Sequence, residues 1–152
     1  VCTVRVFPDG ERAMSGRGFQ QAVAPPPLPD QLLTNCPIYA TCPNLGTAAV
    51  EACLRAATAG CPIIAMDMEH LPEIVRVSRI LVTSQETLRK RGVTDSPETI
   101  ARRLVETGAQ TAIVTLGANG SITADRDSEI FHTPSYPIAS IVDTTGAGDT
   151  FR

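Results

Sequence analysis

Between residues 62 and 116, short apolar runs alternate with segments of helical pattern, and few architectures accommodate that alternation. Pro62 to Met66, Arg79 to Thr83 and Thr111 to Leu116 are strand-length runs rich in β-branched residues. Ser84 to Arg91 has the pattern of a short helix. Ser96-Pro97-Glu98 opens a longer one: Ser96 or Asp95 supplies the cap, Pro97 sits in the first turn, and Thr107-Gly108 ends it. Downstream, Ser121 to Ala124 and Glu129 to Thr133 flank Asp125-Arg126-Asp127 as a hairpin with a polar tip. Buried strands separated by helices predict an α/β layered domain with a mostly parallel sheet. In such sheets ligands gather at the carboxyl ends of the strands.

Upstream the pattern changes. Val4 and Val6 alternate with Thr3 and Arg5, Pro8-Asp9-Gly10 signals a turn, and Glu11 to Met14 returns, which predicts a hairpin. Gly16 to Pro29, with Pro25-Pro26-Pro27, admits neither helix nor central strand. Ile38 to Ala40 reads as a short strand. After it, Asn44 or Thr47 is expected to cap a helix that carries Ala48, Ala49, Ala52, Cys53, Ala56 and Ala57 and stops at Gly60. Its small side chains would let the helix pack closely on a sheet. The chain thus divides into a strand-rich piece at 1–24, a Pro-rich connection at 25–37 and an α/β core at 38–152.

A length of 152 residues with 43% hydrophobic content suits one domain. The net charge of −3 argues against a nucleic-acid-binding surface. No run of roughly 18 apolar residues and no basic-then-apolar leader is present, so a cytoplasmic protein with no membrane partner is expected. The cysteines, Cys2, Cys36, Cys42, Cys53 and Cys61, are odd in number and none pairs at the two-residue gap of a zinc or redox motif. They read as free thiols, and a Cys36–Cys42 bridge has no support.

The run Asp143-Thr144-Thr145-Gly146-Ala147-Gly148-Asp149-Thr150-Phe151 follows an apolar stretch, Ile138 to Val142, that reads as a strand. Gly146 and Gly148 permit close approach of backbone to ligand. A helix starting at Ala147 would aim its first unpaired N–H groups, with the helix dipole, at an anion. Asp149 would stand at the mouth of that anion site. A carboxylate facing a phosphate has a use if it takes the proton of a hydroxyl that attacks the phosphorus. The plain alternative is a strand-to-helix turn whose Asp caps the helix.

This run resembles the C-terminal signature of the ribokinase-like (PfkB) sugar kinase family, in which the Gly-Ala-Gly-Asp segment forms the anion hole and its Asp is the catalytic base. The resemblance implies the family's α/β/α fold and assigns Asp149 as base, with Gly146, Ala147 and Gly148 as the anion hole. It also implies that oxygens of Asp143 and Thr145 bind a monovalent cation such as K⁺. Thr115-Leu116-Gly117-Ala118-Asn119-Gly120 resembles the family's Thr-x-Gly segment, which implies nucleotide contacts from Thr115, Gly117 and Gly120; a hairpin turn explains Asn119-Gly120 equally well. Thr83-Ser84-Gln85-Glu86 partly resembles the family's Asn-x-x-Glu. Glu86 matches and would organise water on magnesium, whereas Thr83 stands in place of the Asn. Glu86 is equally an ordinary acid in a first helical turn. Asp67, at a strand end where family members often carry an Asp, caps the next segment or serves the site, and is assigned no role.

The hairpin at residues 1–24 resembles part of the family's β lid, which covers the sugar and often forms a homodimer interface. The chain opens at Val1 in strand-like sequence and closes three residues after Asp149, with family elements expected on both sides. A segment of a longer protein, inactive and poorly stable alone, is the expectation. The implied activity is ATP- and Mg²⁺-dependent phosphorylation of a primary hydroxyl on a sugar or related compound, as in ribokinase, fructokinase or ketohexokinase. Two alternatives stay open: a non-catalytic fragment keeping part of a nucleotide site, and a kinase for a vitamin-precursor alcohol. Relatives of the latter kind can use a Cys near the anion hole, where this chain has Ala147.

Overall fold

Six strands pair in the order in which the chain makes them: β3 (Tyr39–Thr41), β4 (Ile63–Met66), β5 (Ser78–Ser84), β6 (Thr111–Thr115), β7 (Ser121–Asp125) and β8 (Ser128–Thr133). The computed structural model describes residues 2–6, 12–16, 29–33, 36–43, 46–138 and 146–151. β3 to β6 are parallel, and β7 and β8 return as antiparallel neighbours. The α/β class and the mostly parallel sheet are therefore as the alternating pattern predicts.

Register decides which side chains share a face. Ala65 lies beside Leu81, Leu81 beside Ala112, and Ala112 opposite Ala124. With Ile63 and Val114 these residues are buried in one cluster. Three helices cover that face: α2 (Thr47–Thr58), α3 (Pro72–Val77) and α5 (Pro97–Thr107). They contribute Cys53 and Ala56, Ile74 and Val75, and Ile100, Ala101 and Leu104 respectively. The spacing Ala49, Cys53, Ala56 puts small residues on the inward face of α2, so its backbone can approach the sheet. Removing a Leu or Ile side chain of this core from water stabilises the fold by about 1.5–3 kcal/mol.

The N-terminal hairpin forms as predicted, with β1 (Cys2–Val6) antiparallel to β2 (Arg12–Gly16) and Val4 opposite Met14. A single-turn helix, α1 (Asp30–Leu33), falls inside the stretch expected to be a Pro-rich connection. α4 (Gln85–Lys90) follows β5 directly, and α6 (Ala147–Phe151) closes the described chain. No helix among the described residues is long and apolar enough to cross a membrane.

Several local expectations change. Gly46 holds the cap position of α2 at φ 59°; Thr47 is already helical, and Asn44 lies outside the described residues. α3 escapes the periodicity because it has only 6 residues, although Pro72 at its start and Glu73 in its first turn are initiation signals. Asp67 does not cap it, since Leu71 does. For α5 the alternative resolves in favour of Ser96, whose Oγ accepts from Thr99 N at 3.2 Å, while Asp95 pairs with Arg103 at 2.8 Å. The expected strand after Ile138 runs into residues 139–142, which lie outside the described residues; Ile138 itself is exposed and in no strand.

Candidate active site

β5 and β6 end side by side, and that adjacency assembles the site. Ser84 pairs in register with Thr115, so the Thr83–Glu86 segment and the Thr115–Gly120 loop leave the sheet at the same carboxyl edge. The Thr115 hydroxyl donates across the gap to the Thr83 carbonyl at 3.5 Å. The two partial motifs, about thirty residues apart in sequence, are therefore neighbours.

The loop after β6 is shaped by its own backbone. Leu116 N donates to Gly120 O at 2.7 Å, and Gly120 N to Gly117 O at 3.1 Å. Its outer carbonyls are held from β8 and beyond: the His132 ring nitrogen meets Asn119 O at 2.6 Å, and Ser135 Oγ donates to Ala118 O at 2.5 Å. Those two supports carry no motif of their own, and only the folded hairpin brings them here. Gly120 has φ 87°, and a Cβ on it would fall 1.9 Å from the Thr133 carbonyl oxygen. The hairpin alone thus demands glycine at 120.

On the β5 side, Ser84 caps α4, its Oγ accepting from Thr87 N at 3.0 Å. Glu86 then lies in the first turn, exposed, with Lys90 Nζ 2.5 Å from its carboxylate. An ion pair this exposed contributes little to stability. Thr83, which replaces the Asn of the resembled motif, is fully buried and donates to Asp67 Oδ1 at 3.3 Å. Its hydroxyl is thus bonded within the protein.

The third expected component begins at Gly146. Its φ of 77° turns the backbone into α6 at Ala147, and its carbonyl accepts from Thr150 N at 2.8 Å. Ala147 and Gly148 are exposed, and Asp149 occupies the first turn of the helix. Asp143 and Thr145 lie outside the described residues.

Away from this edge, the groups with shifted ionisation have structural causes. Asp125, the last residue of β7 and opposite Thr111 at the amino end of β6, is held below the usual carboxylate range first by the Thr111 hydroxyl at 2.6 Å and then by the Asp127 N–H at 3.1 Å. Burial pushes the Cys53 thiol up to about 11. Burial and the neighbouring Cys36 thiol raise Cys61; Cys36, Cys42, Cys53 and Cys61 are free thiols. No cluster of three or more metal-ligating side chains occurs among the described residues. A hollow of about 520 Å³ lined by Arg102, Arg126, Asp127, Glu129 and Ile130 lies by the β7–β8 turn, at the opposite end of the sheet from Thr115 and Glu86. It contains none of the expected site residues.

Known proteins share this fold. The pfkB family carbohydrate kinase model matches residues 39–152. A deoxyribokinase of Salmonella typhi is 45% identical over 51 residues, covering 34% of this chain and 16% of that protein. An ATP-dependent 6-phosphofructokinase of Thermoanaerobacterium thermosaccharolyticum is 31% identical over 84 residues, covering 55% of this chain and 25% of that protein. Among solved structures, Arabidopsis thaliana ribokinase complexed with ribose and ATP superposes with a TM-score of 0.75 at 23% identity, over 99% of this chain and 53% of that one. A probable sugar kinase from Rhizobium etli gives 0.76 at 22% identity, over 99% and 50%. The structural likenesses carry the fold, and the chain spans about half the length of these two solved structures. The family match extends from β3 to the end of the chain: this chain belongs to the pfkB family of carbohydrate kinases.

Proposed function

We propose that the protein bearing this chain transfers the γ-phosphoryl group of ATP to a primary hydroxyl of a sugar or a related polyol or nucleoside. The observation that carries this reading is the turn at Gly146, which starts a helix at Ala147 within a stretch that matches a carbohydrate kinase family. In this reading Asp149 takes the proton of the attacking hydroxyl. N–H groups from Gly146 to Asp149 meet the charge that develops on the phosphoryl oxygens. Thr115, Gly117 and Gly120 line the nucleotide side, where the Thr115 hydroxyl and the loop backbone contact phosphate or ribose.

Glu86 is an exposed carboxylate at the strand-end edge, a donor type that suits a hold through water on nucleotide-borne magnesium. That ion, when bound, supplies charge neutralisation at the β- and γ-phosphate oxygens. Asp143 and Thr145 are proposed for a K⁺ site on the strength of the signature alone. Free thiols support a reducing, cytoplasmic setting. The lid role of the β1–β2 hairpin, and a homodimer through it, are proposals on the same footing.

The alternative reading is a non-catalytic product that keeps part of a nucleotide site. One experiment separates the two and tests the base. In the full-length protein, sugar-dependent ATP turnover should be measurable, and Asp149→Asn should lower it at least ~10²-fold with ATP affinity little changed. Unchanged turnover in the Asn variant removes the base assignment; absence of turnover in the parent favours the second reading.

A further inference from the structure

Three features of the β4–α3 turn stand outside the site described above. Asp67 is a non-glycine residue in the left-handed region, at φ 53°. Asp and Asn tolerate that conformation better than most residues, but it still carries strain and persists where surroundings over-determine it. Here the surroundings do. Asp67 N continues the parallel ladder to Val82 O at 2.9 Å, and Arg91 Nη2 donates to the Asp67 carbonyl at 3.0 Å. The second feature is Glu69, whose side chain is only 7% exposed and whose Oε1 pairs with Arg91 Nη1. The third is its other oxygen, Oε2, which is buried with no hydrogen-bond partner. A buried carboxylate with one oxygen unsatisfied costs stability, about 1–3 kcal/mol or more for a charged group, so packing alone does not favour an acid there.

The connections of this turn converge on one short helix. α4 has 6 residues, too few to hold its own direction. At its start, Thr83 immediately precedes the cap Ser84, and the Thr83 hydroxyl is bound to the Asp67 carboxylate at 3.3 Å. At its end, Arg91 terminates the helix, its N–H bonded to Thr87 O and Leu88 O at 3.1 Å, while its guanidinium grips Glu69 and the Asp67 carbonyl. Both ends of α4 are therefore pinned to the same turn, residues 67–69. Glu86 is carried between the pins.

We propose that Asp67, Glu69 and Arg91 are positioning residues for Glu86, fixing the first turn of α4 relative to the carboxyl ends of β5 and β6. This rests on the reading of Glu86 as a residue of the phosphoryl-transfer site. The planar guanidinium is suited to the task, because it reaches two acceptors in fixed relative directions, which a lysine ammonium on a flexible stem does not reproduce. Arg91→Lys or Glu69→Gln then loosens the far pin without touching the nucleotide side.

The test is a double-variant cycle in the full-length protein, reading turnover, the magnesium concentration for half-maximal rate, magnesium–ATP affinity by titration calorimetry, and melting temperature. Arg91→Lys and Glu69→Gln should each lower turnover by about 3- to 10-fold, raise the magnesium requirement and weaken magnesium–ATP binding. In the Glu86→Gln background the same substitutions should change none of the three further, because the group they position is already gone. Equal losses in both backgrounds, or a lower melting temperature with turnover and magnesium–ATP affinity intact, overturn the proposal. Should Glu86→Gln itself leave rate and affinity at parental levels, the reading of Glu86 falls and takes this inference with it, an outcome distinct from the other two. If Arg91→Lys fails to fold, the isosteric Glu69→Gln variant decides alone.

Discussion

Replacing Gly120 with Ala separates two reasons for a glycine in the Thr115–Gly120 loop. Gly120 sits at φ 87° and ψ −133°, close to a region that only glycine populates readily. Its Cβ would lie 1.9 Å from Thr133 O and 2.8 Å from Pro134 C and Ser135 N, all backbone atoms with no flexible end to yield. Forcing the conformation costs about 1–3 kcal/mol and displacing packed backbone about 1–3 more, so Gly120→Ala should lose about 2–6 kcal/mol. Gly117 is the internal control: at φ 62° with nothing within 4 Å of its Cβ, Gly117→Ala carries the conformational cost alone, about 1–2 kcal/mol. Urea unfolding of both variants and the parent, followed by far-UV circular dichroism, gives the two differences from midpoints at constant slope. Because β7 and β8 close onto the loop here, the Gly120 variant should also lose hydrogen-exchange protection along β8. If the two substitutions cost the same within about 0.5 kcal/mol, the steric reasoning is wrong.

Two further predictions address the fold. The Asp125 carboxyl is depressed in the folded state, so the stability it contributes is present above its unfolded pKa and is lost as pH falls through its folded one; Thr111→Val should remove the larger cause and make acid unfolding begin at higher pH, read as melting temperature against pH. Ile74 is fully buried in α3 against the sheet, so Ile74→Ala should cost about 2–5 kcal/mol in the same urea assay, and a loss below 1 kcal/mol would show that α3 does not share the core.

What the sequence made readable follows from range. The apolar runs at 62–66, 79–83 and 111–116 announce strands because each is apolar along most of its length, with Ile63, Ala65, Leu81, Val82, Ala112 and Val114 buried, and Ser96-Pro97 announces α5 because capping is a contact over three residues. Thr115 and Glu86 were nameable from local motifs, but their adjacency depends on the β5–β6 register, which pairs Ser84 with Thr115 across 31 positions. Arg91, Glu69, His132 and Ser135 left no local signal, since each meets a partner more than a dozen residues away. The cap of α2 escaped for another reason: a backbone turn at Gly46 takes the position, and Thr47 beside it is already helical.

The order of the strands bears on how the chain is born. From β3 to β8 every strand lies beside its predecessor in sequence, so no strand waits for a distant partner before it can pair. Loop closure is repaid one short connection at a time, which keeps the average sequence distance between contacting residues low. On a ribosome, β4 can dock on β3, then β5 on β4, as each leaves the exit tunnel. The exposed edge at any moment is the strand just completed, and the next segment to emerge is the one that covers it. The direction reverses first between β6 and β7 and again at the β7–β8 turn, and Ser84, Thr115 and Ser121 are side by side before residue 146 is made.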